Sequence, residues 1–185
     1  MTLFLDKMRG TPDDLYGRKV LHLVAQMAYP AVVGFIAEKC GVEDASLHLR
    51  DIGSRICIRL MKFYKPKNKK LIPLIKEFFM VLWEDKKISL KILEKDKLKR
   101  PTLIRVMDGN CGLCPKEEEL VPIEGLNFCV PVSGFLETML NELVKQNHPM
   151  GIKNTIGSNM NFKVETIASR GPGNKKCYHK IEITY

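Results

Sequence analysis

Residues 88–115 read ISLKILEKDKLKRPTLIRVMDGNCGLCP, and within them the hydrophobic pattern of the chain changes from helical spacing to strict alternation. The apolar residues that alternate with polar ones are Ile88, Leu90 and Ile92 before a polar stretch at residues 94–100, and Ile104 and Val106 after it. Alternation with a period of two is typical of strands with one buried face. This stretch therefore predicts an antiparallel hairpin.

Two cysteines, Cys111 and Cys114, follow this hairpin at C-x2-C spacing. That spacing allows two thiolates to bind one tetrahedral ion without straining the backbone, and Cys129 and Cys177 would complete a structural zinc site if folding brought them near. Two alternatives stay open at this point. Cys111 and Cys114 can form a redox dithiol, or all four can be buried as small apolar side chains.

The chain before the hairpin has helical spacing throughout. Pro12 and the two acidic residues after it favour a helix start, and that helix is expected to run to about Tyr29. Pro30 predicts a kink or a new start, and the helix then continues from Ala31 to Cys40, where Gly41 ends it. Two more inward apolar faces are predicted, at Ile52, Ile56, Leu60 and Phe63, and at Leu71, Leu74, Ile75, Phe78, Phe79 and Leu82. Cys40 and Cys57 lie in this helical pattern and are read as ordinary buried residues.

The C-terminal third returns to helical spacing and then to alternation. A helix is predicted from Asn127, with Pro131 in its first turn, so Cys129 lies where the helix dipole favours a thiolate. A second hairpin is predicted from Met160–Ile167 and Cys177–Tyr185, joined by a turn at residues 171–173. The residues of the last strand that share one face are Cys177, His179, Ile181 and Ile183. The predicted class is α+β, with N-terminal helices packed on one face of a four-stranded antiparallel sheet and a helix between the two hairpins.

Composition limits the class of protein. The chain has 185 residues, 45% of them hydrophobic, and shows no internal repeat, so we expect one domain. Its start lacks a signal-peptide layout, and His22, Gln26 and Pro30 interrupt the longest apolar stretch, which favours a cytoplasmic protein without a transmembrane segment. The cysteine pattern fits a reducing compartment better than a disulfide framework.

The charge of the chain is strongly basic. It carries 30 Lys and Arg against 21 Asp and Glu, a net charge of +9, with basic residues concentrated in two runs at 62–70 and 86–100. Such runs attract nucleic acid, an anionic membrane surface or an acidic protein partner, and they are also typical of a solvated face. Phe63, Tyr64 and Trp83 are the aromatic residues near these runs, and no recognition-helix or base-stacking motif accompanies them, which argues against a nucleic-acid partner.

Several strings resemble the 4-vinyl reductase domain family, also described as hydrocarbon-binding domains, over residues 47–185. The strings are FFMVLW at 78–83, VMDGNCGLC at 106–114, FCVPVSGFLE at 128–137, and the segment from Val164 and Glu165 through Gly171 to Cys177, Ile181 and Ile183. The resemblance implies a fold related to nitric-oxide-signalling and Golgi-transport (TRAPP-type) ligand-binding domains. It also implies that residues 1–45 form an N-terminal helical extension and residues 46–185 the ligand-binding domain.

The resemblance further implies a small, mostly apolar ligand between the helices and the sheet, a structural zinc, and a homodimer. By this likeness Cys129 and Cys177 are zinc ligands, and Glu165 occupies an acidic ligand position. Ala168 departs from the family, whose members often carry a further cysteine there. We expect Cys111 and Cys114 to replace it, which gives a zinc site of Cys111, Cys114, Cys129 and Cys177 with Glu165 in reserve.

Candidate ligand-binding residues come from the predicted inward faces, where the same spacing also describes ordinary core. They are Ile56, Leu60, Phe78, Phe79, Trp83, Phe135 and Met139. No dinucleotide fingerprint or catalytic triad is recognisable, so we predict no catalytic residues. The leading hypothesis is a zinc-containing module that binds a small hydrophobic molecule, with sensing of that molecule for a partner as one role for it. Alternatives are a trafficking-type or regulatory scaffold with a protein partner, and a Cys-x2-Cys dithiol oxidoreductase.

Overall fold

The computed structural model describes residues 28–83, 88–114, 123–146, 160–170 and 174–185. In this part of the chain the helices are α1 (residues 28–40), α2 (Val42–Leu60), α3 (Leu71–Trp83) and α4 (Val130–Lys145). The strands are β1 (Ser89–Lys95), β2 (Pro101–Asp108), β3 (Asn161–Ala168) and β4 (Cys177–Thr184). This order confirms the predicted α+β class, with helices first and one helix between the two hairpins.

The four strands form one antiparallel sheet in the order β1-β2-β4-β3. Because β4 lies between β2 and β3, it joins the two predicted hairpins into one surface. Its residues alternate as predicted: Cys177, His179, Ile181 and Ile183 are buried, whereas the residues between them are more exposed. β3 contains a bulge between Thr166 and Ala168, just before the chain leaves the sheet.

Gly41 separates α1 from α2, as the sequence predicts. Its φ of +83° lies in the left-handed region, where a side chain would strain the backbone. Pro30 lies inside the described part of α1. Most of the predicted first helix, residues 12–29, falls outside the described residues, as does the predicted turn at 171–173.

Helices α2 and α4 pack backbone against backbone. A Cβ placed on Gly53 would lie 1.9 Å from the carbonyl oxygen of Pro131, and one placed on Gly134 would lie 2.1 Å from that of Arg50. Arg50 also forms an ion pair of 2.5 Å with Glu137, which accepts a hydrogen bond of 2.7 Å from the backbone N–H of Val164. These contacts tie α2, α4 and β3 together.

The inward face predicted for α2 is wrong. The side chains of Ile52 and Ile56 are 42% and 51% exposed, and that of Phe63 is 88% exposed, although Leu60 packs partly against the core. The buried residues of α2 are instead Ala45, Leu49, Gly53 and Cys57. The helix carries two apolar faces, and the close approach to α4 requires the one with the small residues.

The core lies between the helices and the inner face of the sheet. Phe78 and Phe79 of α3 and Met139 of α4 are fully buried, and Phe135 is 3% exposed. The rings of Phe78 and Phe135 meet edge to face with centroids 6.0 Å apart. Among the described residues, no helix is both long enough and apolar enough to cross a lipid bilayer.

Candidate metal centre

Four buried thiols meet at one end of the sheet. The sulfur atoms of Cys111, Cys114, Cys129 and Cys177 all lie within 4.8 Å of one another, and those of Cys114 and Cys177 are 3.2 Å apart. Sulfurs bound to one tetrahedral zinc at about 2.3 Å stand about 3.8 Å from each other. The spacing and the sulfur-only donor set therefore fit a structural zinc site, and the structure brings together the four cysteines predicted for it.

Strand pairing places three of these thiols. In the antiparallel register Asp108, the last residue of β2, lies opposite Cys177, the first residue of β4. The chain turns immediately after Asp108, whose Oδ1 accepts a hydrogen bond of 2.8 Å from the backbone N–H of Asn110. This turn returns the C-x2-C segment towards Cys177.

The fourth thiol lies at the start of α4. Cys129 is the N-cap residue of the helix, where the unpaired backbone N–H groups and the helix dipole favour negative charge. Its backbone N–H donates to Ser169 Oγ at 3.2 Å, and its Sγ lies 3.1 Å from the same hydroxyl. The hydroxyl of Ser169 therefore fixes the position of this sulfur.

Arg170 holds the loop after β3 against the cluster. Its backbone N–H donates to Cys177 Sγ at 3.2 Å, and its guanidinium donates to the carbonyl oxygens of Cys114 at 2.9 Å and Gly109 at 3.3 Å. Four thiolates around a divalent ion carry a net charge of about −2, which a nearby guanidinium offsets. Ser169 and Arg170 directly follow Ala168, where the resembling family often carries a cysteine, but no sequence pattern identifies either residue as a contact of the cluster.

The thiols affect each other's protonation. Hydrogen bonds from the thiols of Cys111, Cys129 and Cys177 hold the pKa of Cys114 well below its usual value, whereas burial, followed by the neighbouring thiols, raises the pKa of Cys129. Cys114 is thus favoured as a thiolate, whereas Cys129 resists the loss of its proton. Binding four thiolates requires a cation that replaces their protons, which is the chemistry of a metal site.

A buried polar network lies beside Cys129. His179 Nδ1 is 3.2 Å from both Ser133 Oγ and Thr166 Oγ1, and Thr166 donates to the carbonyl oxygen of Cys129 at 3.3 Å. Burial lowers the pKa of His179 to about 4, so the imidazole is neutral at physiological pH. His179 is part of this polar network and does not belong to the group of side chains that could hold a metal ion.

The other residues considered as metal ligands lie outside the group of four sulfur atoms. Glu165 forms an ion pair of 2.8 Å with Lys163 and lies outside the sulfur group. The carbonyl oxygen of Ala168 is 3.9 Å from Cys129 Sγ, so this position is adjacent to the cluster even though it carries no ligand side chain. The predicted burial of Cys40 is wrong, because this residue is exposed on α1, whereas Cys57 is buried in the core as predicted, and both lie outside the cluster.

The predicted ligand-binding residues separate into two groups. Phe78, Phe79, Phe135 and Met139 lie together in the core with Leu60 at its margin, whereas Ile56 lies on the surface and the side chain of Trp83 is outside the described part. Two cavities of about 300 Å³ and 230 Å³ are lined by other residues: the first by the outer side of the sheet, including Leu103 and Tyr178, and the second by α2 and the segment before α4.

Comparison with solved structures identifies a relative of this fold. The chain is similar to a trafficking protein particle complex subunit 3 from Naegleria fowleri covalently bound to palmitic acid, with a TM-score of 0.59 and 13% sequence identity. The chains share one fold. The similarity covers 90% of this chain and 97% of the other, and it supports the predicted likeness in fold to Golgi-transport domains. No protein-family model matches the sequence, and no curated protein matches it.

Proposed function

We propose that this protein is a cytoplasmic, 4-vinyl-reductase-like binding module for a small, mostly apolar molecule, stabilised by a structural zinc bound to Cys111, Cys114, Cys129 and Cys177. The observation that carries the proposal is the meeting of these four buried thiols from three separate segments of the fold. Four protein ligands leave no open position for water, so the zinc stabilises the fold and takes no part in hydrolysis.

The apolar ligand would lie between α3, α4 and the inner face of the sheet. This region contains the aromatic side chains of Phe78, Phe79 and Phe135 with the flexible side chain of Met139 beside them. The trafficking subunit of the same fold holds palmitic acid covalently. A ligand would enter this core by displacing side chains, which a thioether chain such as that of Met139 allows at low cost.

Native mass spectrometry of the full chain, freshly purified under reducing conditions, tests both parts of the proposal. We expect one zinc per chain together with a retained apolar molecule, and a denatured sample shows whether that molecule is covalently attached. A molecule attached through a cysteine outside the cluster would be on Cys40 or Cys57, which are the free thiols there. Burial raises the pKa of the Cys57 thiol to about 12. Protein without zinc or a retained molecule, and with no thermal shift on adding zinc or a fatty acid, contradicts the proposal.

A trafficking-type interaction scaffold is the second candidate, and the exposed apolar side chains of the first two helices favour it. Val32 and Phe35 of α1 are 51% and 60% exposed, and α2 exposes Ile52 and Ile56. Scattered apolar residues are common on surfaces, but repeated ones along a helix are typical of protein interfaces. A homodimer through α2 is therefore the expected assembly.

Solution mass from light scattering tests the homodimer. We expect a dimer for the native chain and a monomer for Ile56→Glu, because a carboxylate in an apolar interface loses its hydration. Ile167→Glu, at a residue of β3 that is 57% exposed, is the matched control and should remain dimeric. A native chain that stays monomeric at all concentrations contradicts this assembly.

The dithiol oxidoreductase alternative receives less support. Cys114 is fully buried and Cys111 is 1% exposed, whereas an exchanging dithiol needs a sulfur that a partner can reach. Zinc that survives purification and blocks thiol titration would exclude this activity.

A further inference from the structure

The segment that links α2 to α3 combines positive charge with an exposed aromatic side chain. We define residues 61–70 as the basic loop; it has no acidic residue, and its five lysines, Lys62, Lys65, Lys67, Lys69 and Lys70, are all exposed. Phe63 lies among them and is 88% exposed, the highest value for a large apolar side chain in the described part of the structure. A phenyl ring held in water among lysines has no role in the packing of the fold.

The basic loop is held in place by Glu77 of α3. The carboxylate accepts hydrogen bonds from the backbone N–H groups of Lys67 and Asn68, both at 2.9 Å, from Asn68 Nδ2 at 2.6 Å, and from the hydroxyl of Tyr64. The ring of Tyr64 also packs on Phe78, with centroids 5.7 Å apart. Phe63 therefore projects from a backbone that is held in place, and the carboxylate of Glu77 is already hydrogen-bonded to the basic loop.

Partial burial raises the pKa of the Glu77 carboxyl, but these hydrogen bonds lower it by more, so its pKa lies below the usual value. Glu77 therefore remains ionised at neutral pH, and the loop keeps its geometry there.

A second segment also combines basic residues with an exposed apolar side chain. Residues 95–100, the turn between β1 and β2, contain the exposed side chain of Leu98, which is 65% exposed, among Lys95, Lys97, Lys99 and Arg100. The acidic residue of this hairpin tip, Asp96, is paired with Arg100 at 2.6 Å and accepts hydrogen bonds from two backbone N–H groups. The hairpin tip therefore also presents an apolar side chain within a positive surface.

The hairpin tip lies at the end of the sheet away from the thiol cluster, and the basic loop follows the end of α2. The hairpin tip precedes β2, whereas the C-x2-C segment follows it, so the two lie at opposite ends of that strand. Helix α2 starts beside the segment before Cys129, because a Cβ on Gly125 would lie 3.4 Å from the side chain of Val42. Gly53, in the middle of α2, contacts Pro131 in the first turn of α4, and the helix continues for seven more residues, about 10 Å, before the basic loop begins.

We propose that the basic loop and the hairpin tip form a docking surface for an anionic lipid bilayer, with Phe63 and Leu98 inserted at the interface and the lysines on the headgroups. Charge complementarity identifies the partner: eight exposed lysines flank the two apolar side chains in the basic loop and the hairpin tip, and the one acidic residue within these two segments, Asp96, is paired with Arg100. A nucleic acid would also attract the lysines, but Leu98 is aliphatic and offers no ring on which a base can stack. The inference depends on neither the zinc nor the core ligand.

Co-sedimentation of the full chain with vesicles tests this docking surface. We expect binding to phosphatidylcholine vesicles that contain phosphatidylserine, little binding to phosphatidylcholine alone, and loss of binding at high salt. The double variant Phe63→Ser, Leu98→Ser keeps every charge and should bind at least about tenfold more weakly. Leu47→Ser, Ile167→Ser removes two apolar side chains that are 62% and 57% exposed elsewhere, and it should bind as the native chain does.

Three results overturn the proposal: no binding to anionic vesicles, equal loss of binding in the two double variants, or binding to a single-stranded RNA oligonucleotide that excludes vesicles and is unaffected by Phe63→Ser, Leu98→Ser. All the substituted side chains are exposed, so thermal midpoints close to that of the native chain confirm that the variants are folded. Vesicle binding is also measured on protein from which zinc has been removed, where that protein still folds. Unchanged binding by this protein shows that the docking surface does not depend on the metal site.

Discussion

Replacement of Cys177 by serine should abolish stoichiometric zinc binding and remove most of the stability of the fold. Structural zinc in small domains contributes about 10–16 kcal/mol of binding free energy at neutral pH, which is comparable to the whole free energy of unfolding of a typical domain, about 5–15 kcal/mol. The loss of stability should be large here because Cys177 starts β4, one of the two inner strands of the sheet, and its sulfur accepts the hydrogen bond from the backbone of Arg170.

Zinc content by elemental analysis and urea unfolding of the same samples measure this effect. Cys40→Ser is the matched control, because Cys40 is exposed on α1 and lies outside the cluster. It should keep one zinc per chain and the native unfolding midpoint. A Cys177→Ser protein with full zinc content and an unchanged midpoint would show that the four thiols do not act as one site.

Replacement of Gly53 by alanine should destabilise the protein by about 3 kcal/mol or more, because the new methyl group requires α2 and α4 to separate. The Cβ would stand 1.9 Å from the carbonyl oxygen of Pro131, and a backbone atom cannot yield as the end of a flexible side chain can. Pro131 lies in the first turn of α4, so this displacement also affects Cys129.

Gly34→Ala provides a control of opposite sign. Gly34 lies in α1 with no atom within 4 Å of its Cβ position, so alanine should stabilise the helix by up to about 1 kcal/mol. The free energies of unfolding of the two variants, from urea titration, give the comparison. Equal effects of Gly53→Ala and Gly34→Ala would contradict the backbone contact between α2 and α4.

The sheet could be predicted from the sequence because alternation is a local signal. Every second residue of β4 is buried, from Cys177 to Ile183, and this places the Cys177 sulfur inward in the predicted sense. The C-x2-C pair and the position of Cys129 at a helix start were also visible, since spacing and capping are local as well. The structure confirms that the four sulfurs meet, which these local signals only suggested.

The face of α2 could not be predicted because it depends on a contact between distant parts of the chain. Ile52 and Ile56 are the larger apolar residues, yet Gly53 faces α4 because only a glycine allows the backbones to touch there. Ser169 and Arg170 contact the cluster through a loop whose path is set by the β3 bulge and by strand pairing. Hydrophobic patterns carry no information on such loop geometry.

X-ray absorption at the zinc edge of the purified, reduced protein tests the central claim most directly. We expect one zinc per chain surrounded by four sulfur atoms at about 2.3 Å, with no nitrogen or oxygen ligand. A protein that binds no zinc, or a zinc whose ligands include oxygen or nitrogen in place of any of the four thiolates, would contradict it.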